Sequence, residues 1–181
     1  KRDFSKIRGH LAWSISTAAF YKTGGKPWKL ADIRNGVCYI GLVYKKDDRS
    51  IDPRNACCAA QMFLDSGDGF VFKGAVGPWY NPKFGHFHLK PAQAEELIKM
   101  AIDTYKTAEG TYPNEIFLHA KTKFDNKEWE GFIKGAGENI NVVGVTIKDH
   151  APIKIYRDNS KFPILRGLAY INGPSSGYLW S

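Results

Sequence analysis

Phe20-Tyr21-Lys22-Thr23-Gly24-Gly25-Lys26-Pro27-Trp28-Lys29 and, shortly after it, Val37-Cys38-Tyr39-Ile40-Gly41-Leu42-Val43-Tyr44 decide how this chain is read. The second stretch is an unbroken apolar run rich in β-branched and aromatic residues, the pattern of a strand. The first is a basic elbow. Leu11, Ile15, Ala18 and Ala19 precede it at helical spacing, which predicts a helix from His10 to Lys22. Gly24-Gly25 ends that helix and Pro27 prevents its continuation. Lys22, Lys26 and Lys29 follow one another closely around glycines whose backbone amides can approach an anion. An ordinary helix C-terminus with lysines set against its dipole has the same composition, and the elbow alone favours that plainer reading.

Outward from these stretches, strands are predicted over Val37–Lys45, Ala56–Leu64 and Gly69–Val76. Ser66-Gly67-Asp68-Gly69 is a turn signal that makes the second and third a hairpin. The clearest helix starts at Pro91, where Ala94, Leu97, Ile98, Ala101, Ile102 and Tyr105 form one apolar stripe that stops before Gly110. A strand Glu115–His119, a helix from about Asn126 to Lys134 and a strand Ile140–Ile147 follow. Two strand-like pieces, Ile153–Arg157 and Leu165–Ile171, flank a loop at Asp158-Asn159-Ser160. Three consecutive strands followed by alternating helix and strand predict an α/β fold, a mixed central sheet with helices on both faces, the pattern of the ribonuclease H-like fold and one that other α/β folds share.

Composition sets the outer bounds. The 181 residues suffice for one domain, and 43% hydrophobic with 14% aromatic residues is enough apolar material for a core. Lys1 at the start and the apolar Tyr178-Leu179-Trp180-Ser181 at the end lead us to expect a piece of a longer polypeptide. The net charge of +8 favours polyanionic partners. Three cysteines, Cys38, Cys57 and Cys58, form no disulfide framework, since their number is odd and two are adjacent. Reduced thiols point to the cytoplasm, and no apolar run is long enough for a membrane span. Trp13, Trp79, Trp129 and most phenylalanines are expected in the core.

Tyr21-Lys22-Thr23-Gly24-Gly25-Lys26-Pro27-Trp28 followed by Cys38-Tyr39-Ile40-Gly41 resembles the start of the PIWI domain of prokaryotic Argonaute proteins. The resemblance continues through Gln61-Met62-Phe63, Gly67-Asp68-Gly69 and Pro113-Asn114-Glu115-Ile116-Phe117-Leu118-His119, and on to Arg166-Gly167. It implies that residues 1–181 are one PIWI-like domain, with a MID-like domain before it and a short C-terminal segment after it. In cutting members, carboxylates hold two divalent cations that stabilise the attacking and leaving oxygens of an in-line displacement. The resemblance sets the first acid two residues after the strand glycine, which is Val43, and another at Lys121 within His119-Ala120-Lys121-Thr122. Valine has no ligand atom, and lysine adds a positive charge where cations would sit. Gly85-His86-Phe87-His88 supplies no inserted glutamate, and the last family ligand falls beyond Ser181.

A module of this kind would bind guide and target nucleic acid without cutting. The resemblance implies Lys22 at the guide 5′ phosphate, and Lys26, Arg54, Lys121 and Arg166 along the nucleic-acid backbone. No metal is expected for catalysis; Mg²⁺ at the guide 5′ phosphate in a full-length protein is the one cofactor left open. An effector protein or domain is the implied partner, guide-directed defence against foreign DNA or RNA the implied role, and no membrane is involved. Asp47, Asp48, Asp65, Asp68 and Asp125 are the acids that could rebuild a cutting site, although aspartates in turns commonly serve local hydrogen bonds. His86 and His88, on one face of an extended segment, could join His119 around a metal, a weak pattern. A protein-interaction scaffold is the remaining alternative.

Overall fold

The computed structural model describes residues 8–25, 34–46, 56–66, 69–76, 79–81, 86–149, 153–158, 161–162 and 164–180. Its side chains at 45–46, 56–59 and 72–81 are not described. The chain forms two compact units, Lys1–Thr146 and Ile147–Ser181.

The first unit is built on a five-stranded sheet. Strand β1 (Val37–Lys46) is flanked by β2 (Ala56–Phe63) on one side and β6 (Glu115–Ala120) on the other; β3 (Gly69–Val76) lies beyond β2 and β7 (Asn141–Thr146) beyond β6. The pairs β1–β2 and β2–β3 are antiparallel, whereas β1–β6 and β6–β7 are parallel. This is the mixed sheet with associated helices expected of a ribonuclease H-like fold. The apolar run of β1 fits its central place between β2 and β6 in the sheet. Cys38, Ile40 and Leu42 are buried on one face; Tyr39, Gly41 and Val43 alternate onto the other. Ile116, Leu118 and Ala120 of β6 and Ala60 and Met62 of β2 share the buried face.

Helices α2 (Pro91–Glu109) and α3 (Asn126–Ala136) cover that buried face together. The six stripe residues of α2 are all buried, and Phe132 and Ala136 join them from α3. Burying each large apolar side chain contributes on the order of 1.5–3 kcal/mol. Pro91 opens α2, and the N–H of Lys90 is donated to Gln93 Oε1 at 3.3 Å. Gly110, in the left-handed region, closes the helix by donating to Lys106 O at 2.9 Å. Helix α3 starts on Asp125, whose Oδ1 accepts from Lys127 N at 2.9 Å. Gly131 and Gly135 let the helices approach, for a Cβ on Gly135 would lie 2.6 Å from Glu95 O.

Several expectations change. A short hairpin, β4 (Trp79–Asn81) with β5 (His86–His88), forms where no strand pair is predicted from the sequence. Helix α1 (Arg8–Lys22) forms as expected, but none of its residues is buried and Trp13 is 65% exposed, so Trp13 is no core residue. Trp129 packs partly buried against the core, and the side chain of Trp79 lies outside the described residues. In the second unit, residues 153–157 form no strand, and the second expected strand begins only at Ala169. There β8 (Ala169–Gly173) pairs antiparallel with β9 (Ser176–Leu179), and Gly167 N donates to Trp180 O at 2.7 Å.

Candidate nucleic-acid interface

Parallel strands β1 and β6 run side by side with Gly41 level with His119. Two residues further along each chain stand Val43, still within β1, and Lys121, the first residue after β6, which the same register carried on would bring level at the C-terminal ends of the two strands. Such ends, beside a change of strand direction, are where open α/β sheets receive ligands. Val43 is 60% exposed, and Lys121 is exposed as the first residue after β6. Lys45 and Lys46 continue β1, with Lys46 level with Ala56, and Lys123 follows Lys121. Sequence reading named only Lys121; the cue to the others was their nearness to the ends of two strands that pair in parallel.

The opposite end of the same strands has the opposite character. Asp65 accepts from the N–H of Gly36 at 2.5 Å and from the hydroxyl of Tyr105 at 2.8 Å. It is a structural acid joining β1, β2 and α2, and not the solvated turn residue its setting suggests. Glu115 pairs with Arg34 and accepts from Asn141 Nδ2 at 3.0 Å. A cleft there is lined by Asp65, Tyr105, Glu109, Tyr112 and Asn114.

Behind the lysine-bearing end lies a buried carboxylate. Glu128, 1% exposed, accepts from Leu89 N at 2.8 Å and from the Tyr44 hydroxyl at 3.1 Å through Oε1. Its Oε2 lies 3.1 Å from His88 Nδ1 and accepts from Asp125 N at 3.3 Å. Phe87 stacks on Tyr44 with centroids 5.8 Å apart and planes 6° from parallel, so the β4–β5 hairpin is mounted on the end of β1. Sequence reading missed Glu128. Asp125 followed three residues later by Glu128 is a capping-box pattern, which marks a helix start and hides a core role.

This donor set does not fit a pair of divalent cations. Val43 offers no ligand, Lys121 is cationic, Asp125 caps a helix, and Glu128 is bound on both oxygens. Among the described residues no three His, Cys, Asp or Glu side chains converge as metal ligands. His86 and His88 lie with ring centroids 6.2 Å apart, but His119 sits elsewhere, on β6, where it tilts against Tyr39. Burial lowers the His119 pKa below the ordinary imidazole value.

Lys22 is exposed in the last turn of α1. The elbow glycines do not offer their amides to an anion: Gly24 N donates to Tyr21 O at 3.1 Å and Gly25 N to Phe20 O at 2.9 Å. Both amides cap the helix, so among the described elbow residues an anion would be met by the Lys22 side chain and not by the glycine amides. Arg166 is exposed in a turn of the second unit. Lys26, Arg54, Asp47, Asp48 and Asp68 lie outside the described residues.

No protein-family model and no curated protein matches the chain. Solved structures do. Argonaute from Marinitoga piezophila, in complex with a 5′-OH guide RNA and target DNA, superposes with a TM-score of 0.52 at 18% identity, over 70% of this chain and 19% of that one. Argonaute from Clostridium butyricum, bound to a guide DNA and a 19-mer target DNA, gives a TM-score of 0.52 at 18% identity, over 70% of this chain and 16% of that one. The chain therefore has a PIWI-like, ribonuclease H-like fold, and it spans less than a fifth of the length of those structures. Among the described residues no helix is long and apolar enough to cross a membrane.

Proposed function

We propose that the chain is the PIWI-type module of an Argonaute-like protein that holds guide and target strands without cutting them. The observation that carries this reading is the parallel register of β1 and β6, which ends with Gly41 level with His119 and continues two residues on to Val43 in β1 and Lys121 just after β6. A two-metal cut needs carboxylates there, whereas a phosphate backbone needs cations. The fold is that of proteins bound to guide and target strands, and the net charge of +8 suits such partners. Lys22 then serves the guide 5′ phosphate, with sequence supplied by pairing between the strands. The task is guide-directed defence in the cytoplasm, with recognition passed to an effector protein or domain.

The test uses the whole protein with guides that differ only at the 5′ end, phosphate or hydroxyl, and a complementary target. Salt-dependent binding is expected, stronger for the 5′-phosphorylated guide and losing that preference in Lys22→Ala. No target cleavage is expected with Mg²⁺ or Mn²⁺. Guide-directed cutting abolished by Asp47→Ala or Asp125→Ala would replace this reading with an active nuclease using displaced carboxylates. Failure to bind either guide at low salt would favour a protein-interaction scaffold.

A further inference from the structure

The cleft at the strand starts has a volume of about 620 Å³ and is lined by Asp65, Ser66, Tyr105, Glu109, Tyr112 and Asn114, with no Lys, Arg or His among its described lining residues. Its floor is fixed by Gly36, which lies in the left-handed region. Gly36 donates its N–H to Asp65 Oδ2 at 2.5 Å, and its carbonyl accepts from Asn114 N at 2.8 Å. A Cβ there would collide with the Asn114 amide, so the fit needs glycine. The Tyr105 hydroxyl donates to the same Asp65 oxygen at 2.8 Å. The other oxygen differs. Asp65 Oδ1 and the neighbouring Ser66 Oγ are buried and have no hydrogen-bond partner among the described residues. Buried polar atoms are nearly always paired, and two exceptions side by side call for a cause.

Glu109 brings a second carboxylate, as the last residue of α2, where the negative end of the helix dipole disfavours it. Burial and the hydrogen bond to Asp65 hold the Tyr105 phenol above its ordinary pKa, and the charges of Asp65 and Glu109 both add to this. Cations at the margin have partners of their own: Arg34 pairs with Glu115, and Lys106 donates to the Tyr112 hydroxyl at 2.7 Å. We propose that the cleft binds a primary ammonium group, with Asp65 Oδ1, Ser66 Oγ and a Glu109 carboxylate oxygen accepting its three N–H bonds. This site is separate from the guide and target binding proposed above. An ammonium has three donors and no acceptor, which matches three acceptors and a negative field. A guanidinium fork asks for both oxygens of one carboxylate, and Asp65 Oδ2 already accepts two bonds. A metal ion suits the cleft less, since no three His, Cys, Asp or Glu side chains converge among the described residues.

Amide NMR spectra of the whole, isotope-labelled protein test this with putrescine, with Nα-acetyl-lysine methylamide and with the neutral norleucine analogue as control. Both amines are expected to give saturable shifts centred on Gly36, Ser66 and Asn114 that the norleucine analogue does not. The tighter amine identifies the source, a free polyamine or a lysine of a partner protein, and either supports the site. Glu109→Gln and Ser66→Ala should each weaken amine binding by about tenfold, the scale of one hydrogen bond to a charged group. Without amine both should melt at or above the wild-type temperature, because one relieves like-charge repulsion and the other removes an unpaired buried hydroxyl. The absence of a saturable shift, or binding by both variants within about twofold of wild type, would overturn the proposal. Lower melting temperatures for both variants would make Glu109 and Ser66 structural and also overturn it. Mg²⁺ that reproduces the shifts and displaces the amine would make this a metal site instead.

Discussion

Glu128 of α3 accepts the backbone N–H of Leu89, just before α2, at 2.8 Å, and thereby ties the start of one helix to the approach of the other. The same carboxylate reaches Tyr44 on β1 and His88 on the hairpin, so one buried side chain joins four elements. Glu128→Ala would leave the Leu89 amide without its acceptor and take one acceptor from the Tyr44 hydroxyl. We expect a loss on the order of 3 kcal/mol, given about 1–3 kcal/mol for each buried group left unsatisfied. Glu128→Gln keeps one acceptor oxygen and should lose less. Urea unfolding of the two variants checks the order; equal stability to wild type would remove Glu128 from this role.

Gly135 tests the helix pair. Alanine is the better helix former by about 1 kcal/mol, yet its Cβ would press on Glu95 O. Crowding a packed contact of this kind costs about 1–3 kcal/mol, so packing should win and Gly135→Ala should be destabilised. A stabilised variant would show that α2 and α3 can separate cheaply.

Cys38 gives a chemical readout of the core. Burial, with the nearby Asp65 charge adding to it, pushes its thiol up to about 12. The thiolate is the reactive form, so at pH 8 a Cys57→Ser/Cys58→Ser background should resist alkylation while folded. Denaturant should release full reactivity. Rapid labelling of the native form would mean that β1 opens easily.

His119 sets a pH dependence whose sign follows from its burial. Its folded pKa is lowered, so the unfolded chain takes up the proton first as pH falls below the ordinary imidazole value of about 6.5. The contribution is fully present above that value and is lost as pH falls through the folded pKa. His119→Gln should therefore lose less stability than wild type between pH 7.5 and about 5. Parallel melting-temperature curves for the two proteins would refute the assignment.

Lys121 separates phosphate contact from simple solvation. If it touches one phosphate, Lys121→Ala should weaken binding of unrelated sequences alike and lower the salt slope by ~1. A slope equal to wild type would place the bound strand elsewhere.

The parts of the fold that could be read from sequence are those where one periodic pattern outweighs competing signals. The α2 stripe from Ala94 to Tyr105 and the run of β1 are of this kind, and both form as read. The β4–β5 hairpin is not, because three-residue strands are too short to show alternation and Pro78 and Pro82 flank one of them. In α1 the pattern predicts the helix correctly but not its burial: spacing reports a face, not what covers it. Asp65 and Glu128 look polar and local in sequence, and only the meeting of distant elements makes them interior anchors. For the site, the resemblance to PIWI domains singled out Val43 and Lys121. Bringing them level depends on a parallel pairing across more than seventy residues, which no local pattern contains.

That long pairing has a consequence for how the molecule forms. Strand β1 can make its hairpin with β2 early, but its other edge has no partner until β6 exists, beyond the whole of α2. Closing such a distant parallel contact is slow compared with local hairpin formation. During synthesis the β1–β2–β3 meander must therefore wait with one edge open and one face not yet covered by α2 and α3. That interval is when an unpaired apolar strand is most prone to join another copy of itself, and when a chaperone would have most to protect.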